Sequence, residues 1–319
     1  MKTEGLWYLG ERSVELRPME IPDPGPEEVL VAMEACGICN WDIQSYAGKF
    51  GAHHPYPFCA GHEGVGRVLA AGPKVEGIRK GQRVAMQEMP VGVPGGALMA
   101  RHALRRQDQL AAIPEDGKAA SQWVVEPICC IVNGIMYAGI QPGDRVAVVG
   151  VGYMGLLFVQ GLKRCLTGNI SVFDPDTERL GLAVEFGAQE AFDAREDLPD
   201  GVGGRFNVVI ETAATPKSLE LGLHLAKTGA VIETFAWHHH HHRFDLDDWH
   251  LRGLRFLNIQ PGMNPHFGDL YPRTVALVAN GTFSNEKLVT HVAPLERAAE
   301  ALDAALDKTG GYIKGVITF

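Results

Sequence analysis

Short apolar runs broken by Pro and Gly dominate the first third of the chain. "EEVLVAMEACGIC" (27–39), "GVGRVLAAG" (64–72) and "GQRVAM" (81–86) read as strands, and "PGPEE" and "AGPKVEGIRKGQRV" are dense in turn formers. That spacing predicts an irregular β-rich unit. After about residue 120 the pattern changes. "DRVAVVGVGYMGLLFVQGLKRC", "ISVFDPDTERLGLAVEFGA" and "FNVVIETAATPKSLELGLHLA" each pair a β-branched run with a longer amphipathic run, and "GAVIETFAW" (229–237) is a further strand. The alternation predicts a parallel sheet with helices on both faces. The tail, "LVTHVAPLERAAEALDAALDKTGGYIKGVITF", reads as strand, helix, strand. It is expected to return to the first unit, since two termini commonly close one domain. Two domains follow: residues 1–127 with 264–319, and residues 128–263.

Composition narrows the partners. With 319 residues, 46% of them hydrophobic, the chain can bury two cores. Its 38 acidic against 29 basic residues give −9, which argues against nucleic acid or an anionic membrane as the main partner. The basic stretch "RHALRRQ" (101–107) is expected to be solvated surface. The N-terminal segment has no signal-peptide core. The uncharged run "VAVVGVGYMGLLFVQGL" (146–162) holds four glycines, which suits a strand, turn and helix rather than a membrane span. Six cysteines without a signal suggest free thiols in a reducing cytoplasm.

"VAVVGVGYMG" sets Gly150, Gly152 and Gly155 in G-x-G-x-x-G spacing between a strand and a helix that opens at Tyr153 and Met154. Gly150 suits the tight turn, Gly152 the approach of a pyrophosphate, and Gly155 close helix–strand packing. The next strand ends at Asp174, 19 residues beyond Gly155, where an acid accepts the adenosine ribose hydroxyls. A carboxylate there disfavours a 2′-phosphate, so NAD(H) is expected over NADP(H); nearby Arg179 bears on the same choice.

Three further stretches carry chemistry: "ACGICNWD" (35–42), "CAGHEGVGRV" (59–68) and "VVEPICC" (124–130). Each alone has a plain reading: an incidental C-x-x-C, a capped turn, a buried acid. Together with the glycine fingerprint they resemble the zinc-dependent alcohol and polyol dehydrogenases of the medium-chain dehydrogenase/reductase family, over essentially the whole chain. The resemblance implies an α/β protein with a GroES-like β-rich catalytic domain and a Rossmann domain with a doubly wound parallel sheet. It implies Cys39 and His62 as catalytic zinc ligands, with Glu63 beside or on the metal. It further implies that Glu126 would bind directly or through water and that Asp42 would orient His62. Phe235, Ala236 and Trp237 would run along the nicotinamide. One thiolate, one imidazole and one or two carboxylates leave an open position on a tetrahedral zinc. Zinc lowers the pKa of a bound oxygen, for water from about 15.7 to about 7, and so favours the alkoxide.

The sequence also departs from that family. Trp41 and Gln44 stand where many relatives carry the Ser or Thr and the His that pass the alcohol proton to solvent. Trp41 then either fills the substrate pocket or is a core aromatic, Gln44 would line the pocket, and the proton would leave by ordered water, Glu63, Tyr46 or His54. The stretch 85–107 lacks the four cysteines of a structural zinc, so one zinc per chain at most is expected. A homo-oligomer, dimer or tetramer, is also implied. Two other functions stay open: a zinc-independent quinone or carbonyl reductase, and a non-enzymatic nucleotide-binding regulator. The run His238–His242 reads as a solvated loop that picks up metal adventitiously. Alternatively, one or two of its histidines, His238 first, shape the substrate mouth with Trp237 or supply the proton route.

Overall fold

The computed structural model describes residues 1–50, 55–89, 92–93, 95–239, 241–261 and 264–319. The chain divides into two compact units, Met1–Cys129 with Gly268–Phe319, and Cys130–Phe267.

A seven-stranded sheet organises the first unit. Its order is Val289–Pro294, Lys314–Thr318, Glu28–Gly37, Glu63–Ala71, Arg83–Met86 and Leu110–Ala112, with His102–Arg106 also paired to Glu28–Gly37. The tail closes this sheet: Ile317 lies opposite Cys36 in an antiparallel pair. The helix Ala298–Asp307 buries Ala298, Ala301, Leu302 and Ala305, the single stripe that a helical period presents to a core. Three more strands, Ser13–Glu20, Lys2–Gly10 and Phe58–Cys59, form a second sheet.

The stretch 101–107 corrects an expectation. Its strand His102–Arg106 pairs with the central strand Glu28–Gly37, and Arg105 is only 1% exposed. The guanidinium donates to the carbonyls of Gln87 (2.7 Å), Gly95 (3.1 Å), Leu104 (2.7 Å) and Gly96 (2.7 Å). Burial lowers its pKa to about 10. A buried cation thus gathers the carbonyls of this stretch.

Six parallel strands make the second unit, in the order Glu190–Asp193, Asn169–Asp174, Arg145–Val149, Phe206–Glu211, Ala226–Thr234 and Arg255–Asn258. Counted along this unit the order is 3-2-1-4-5-6, the doubly wound arrangement. Its switch point lies between Arg145–Val149 and Phe206–Glu211, and ligands bind beyond the carboxyl ends of the strands there. Val146, Ala147, Val148 and Val149 are all buried, as a parallel strand covered on both faces requires. The fifth strand stops at Thr234 rather than at residue 237, so Phe235, Ala236 and Trp237 belong to the loop beyond it. Among the described residues no helix is long and apolar enough to cross a membrane.

Candidate metal and dinucleotide sites

In the first unit Cys39, His62 and Glu63 converge: their ligand atoms all lie within 4.8 Å of one another. Local structure explains how. Cys39 is the N-cap of the helix Asn40–Tyr46, and its N–H donates to Asp42 Oδ2 at 2.8 Å. Gly61 turns the chain at φ +97°, where a methyl group would sit 2.4 Å from the Met99 nitrogen. Only glycine fits that turn, which presents His62 ahead of the strand Glu63–Ala71. Gly37 likewise leaves room for the Glu63 carboxylate, which a methyl there would meet at 1.9 Å.

Electrostatics couple the group. Burial raises the Cys39 thiol, against the influence of His62. Burial pulls the His62 imidazole down, but Cys39, by charge and hydrogen bond, and then Asp42 and Glu126 bring it well above its usual value. Burial also raises Asp42, with His62 opposing. Asp42 Oδ1 has no hydrogen-bond partner among the described residues. The acid therefore fixes Cys39 by a bond and reaches His62 through its field. Glu126 begins the helix Glu126–Ala138 and is buried, yet it lies outside the three-residue group.

Lys314 was not anticipated. It is buried, donates to Glu63 Oε1 at 2.8 Å and to the Ile38 carbonyl at 3.0 Å, and stands 2.5 Å from Glu63 Oε2. A cation at the group would therefore share Glu63 with an ammonium. The lone Lys in the apolar run "YIKGVITF" was the available signal. Trp41 packs edge-on to His62 with ring centroids 6.1 Å apart, stacks on Phe50 at 6.2 Å and meets Phe58 at 5.9 Å. Gln44 Nε2 donates to Asn40 Oδ1 at 3.4 Å. Tyr46 is not a free proton carrier: its hydroxyl donates to Asp303, and burial with that bond pushes its pKa to about 12. His54 lies outside the described residues.

The second unit gives each fingerprint glycine a distinct setting. Gly150 has φ +91°, and a methyl on it would strike Ala213 at 2.8 Å. A methyl on Gly155 would lie 2.0 Å from the Gly150 carbonyl. Gly152, the N-cap of the helix Tyr153–Leu162, faces open space, leaving room for an anion at the helix N-terminus. Tyr153 is buried and Met154 partly so. Asp174 is nearly buried and accepts from the N–H groups of Val151 (2.7 Å) and Asp176 (2.9 Å). Arg179 pairs with Asp176 at 3.3 Å. Phe235 meets Phe158 edge-on at 4.8 Å, whereas Trp237 is exposed and leans on His239 at 4.8 Å.

The histidine run is not uniform. His238 Nε2 lies 2.6 Å from Glu211 Oε2, and its Nδ1 lies 3.1 Å from His242 Nε2. His239 and His241 are exposed. Glu211 is fully buried at the end of its strand, and Oε1 accepts from Ala213, Ala214 and Ser218.

Comparison with known proteins agrees with this architecture. Residues 25–131 match the alcohol dehydrogenase GroES-like domain, and residues 154–270 match the zinc-binding dehydrogenase domain. Fold and domain matches together make the chain an oxidoreductase of the dinucleotide-binding class. It belongs to the zinc-binding alcohol and polyol dehydrogenases of the medium-chain dehydrogenase/reductase family. It is similar to sorbitol dehydrogenase of Bombyx mori, 25% identical over 97% of this chain and 96% of that protein. The sorbitol dehydrogenase of Bacillus subtilis is also 25% identical, over 96% and 94%. Among solved structures, a zinc-binding dehydrogenase of Sinorhizobium meliloti bound to NADP aligns over the whole of both chains, with a TM-score of 0.87 and 25% identity. A 2R,3R-butanediol dehydrogenase of Bacillus subtilis aligns with a TM-score of 0.85 over 99% of both chains; at 22% identity it speaks to the fold.

Proposed function

We propose that the chain transfers a hydride between a secondary alcohol or polyol, or the matching ketone or aldehyde, and NAD(H). The convergence of Cys39, His62 and Glu63 within 4.8 Å carries this reading. A thiolate, an imidazole and a carboxylate are the donors a catalytic zinc takes while keeping one position open. Cys39 and His62 would hold it, with Glu63 or Glu126 completing the set. Zinc would supply Lewis acidity and the dinucleotide the hydride acceptor. Asp42 keeps Cys39 in place through the helix cap, and Lys314 balances the charge of Glu63. Trp41, beside His62, forms an apolar wall of the substrate pocket, and Gln44 lies at its edge. With Tyr46 committed to Asp303, the proton leaves by ordered water, Glu63 or His54.

Residues 1–127 and 264–319 form the catalytic domain in this reading, and 128–263 the NAD-binding domain. Gly150, Gly152, Tyr153, Met154 and Gly155 cradle the pyrophosphate. Asp174 takes the ribose, Arg179 stays with Asp176, and Phe235 and Trp237 flank the nicotinamide. Related structures hold either cofactor: NADP in the Sinorhizobium meliloti protein and NADH in an Escherichia coli alcohol dehydrogenase. The nearly buried carboxylate of Asp174 supports NAD here. Six free cysteines support a reducing, cytoplasmic setting, and the family supports a homodimer or homotetramer. A panel of secondary alcohols and polyols assayed with NAD and NADP tests the proposal. NAD-linked oxidation is expected; no turnover of any alcohol or ketone with either nucleotide would refute it.

A further inference from the structure

The Glu211–His238–His242 chain lies wholly in the second unit, and the function proposed above makes no use of it. Its geometry is that of a metal-ligating histidine held from behind. Glu211 is buried, and Oε1 is fixed by two backbone N–H groups and the Ser218 hydroxyl. Its Oε2, 2.6 Å from His238 Nε2, accepts that ring N–H. The tautomer this selects leaves a lone pair on His238 Nδ1, the nitrogen facing His242 Nε2 at 3.1 Å. Two imidazole nitrogens about 2.0–2.1 Å from one tetrahedral zinc stand about 3.3–3.4 Å apart. The pair therefore needs only a few tenths of an ångström of opening. A carboxylate on the far ring nitrogen both orients a ligating histidine and raises its basicity.

We infer that His238 Nδ1 and His242 Nε2 form a binding site for a divalent first-row transition metal ion, separate from the Cys39–His62–Glu63 group, with water in the remaining positions. Imidazole donors without thiolate or a direct carboxylate suit zinc, nickel or copper. Such an ion would clamp the loop after the fifth strand to Glu211 at the end of the fourth. It would also be a second metal per chain, where the sequence led to an expectation of one. The described histidines of the run would then divide by role: 238 and 242 as ligands, 239 and 241 outside the site.

The test is calorimetric titration of zinc into the zinc-loaded full-length protein. Wild type should take up one further saturable equivalent. His238→Ala and His242→Ala should each weaken it by more than about tenfold, and Glu211→Gln by about 10- to 100-fold, as loss of an orienting carboxylate does. His239→Ala and His241→Ala should leave it within about twofold, because neither supplies a ligand. Equal losses across all four histidine variants would mean an adventitious ion only and would overturn the site, as would the absence of a further saturable equivalent. Circular dichroism melts check folding; if Glu211→Gln unfolds, the His238 and His242 variants decide.

Discussion

Replacing Glu233 with Gln should stabilise the folded chain, increasingly so as pH rises. Glu233 is fully buried in the strand Ala226–Thr234, and neither carboxyl oxygen has a hydrogen-bond partner among the described residues. Gly134 makes room for it: a methyl there would stand 2.6 Å from Oε1 and 2.8 Å from the Phe158 ring. Burial raises the carboxyl from 4.5 to about 8, because the charged form loses its water and gains no partner. The folded chain thus holds this proton more tightly than the unfolded chain does. Stability is full below the unfolded value and is lost as pH rises through the folded one. At 1.36 kcal/mol per pKa unit, the loss reaches about 3 kcal/mol at pH 7 and levels off near 5 kcal/mol above about pH 8. Gln keeps the shape and cannot ionise. Urea unfolding of both proteins should show their stability gap widening from about 1 kcal/mol at pH 5 to about 3 kcal/mol at pH 7. Parallel pH profiles would refute the reasoning, since the carboxyl would then have to be stabilised in its charged form.

Lys314→Met strands the Glu63 charge in the interior and should cost about 3–5 kcal/mol, measured by denaturation with chelator present; adding Glu63→Gln should recover most of it, and no recovery would mean that packing, not charge, was lost. Arg105→Ala removes the donor to four carbonyls at once, so a loss of at least about 3 kcal/mol is expected, against under about 0.5 kcal/mol if the side chain were a surface group. Trp41→Ser should shift the substrate profile towards bulkier alcohols; identical kcat/KM ratios across the panel would remove Trp41 from the pocket. kcat/KM should favour NAD over NADP in the wild type, and Asp174→Ser should narrow that preference by about tenfold, roughly 1.4 kcal/mol.

The nucleotide unit was legible because each of its elements carries a local signal. A β-branched run reads as a strand by itself, and the glycines at 150, 152 and 155 report turns and approaches set by their own backbone. The metal group was legible only through the family resemblance: Cys39 and His62 lie on separate elements, and no periodicity brings them together. Lys314 is 251 residues from Glu63, and its only trace was one charge in an apolar strand. Arg105 was misread because three arginines in seven residues look like surface. The strand instead pairs with the centre of a sheet, which buries Ala103, Leu104 and Arg105 alike. The histidine run left two readings open, a solvated loop or a substrate mouth and proton route, with no signal for which histidines would act. Glu211, 27 residues before His238, splits it by position, and an acid closing the apolar run "NVVIE" was the only hint.

Zinc content and turnover measured together on wild type and Cys39→Ser test the central claim most directly. The protein is isolated without chelator and assayed for NAD-linked oxidation of secondary alcohols and polyols. The predicted result is zinc bound to the wild type, with loss in Cys39→Ser of both the thiolate-bound zinc and turnover. Full NAD-linked turnover in zinc-free protein would contradict it.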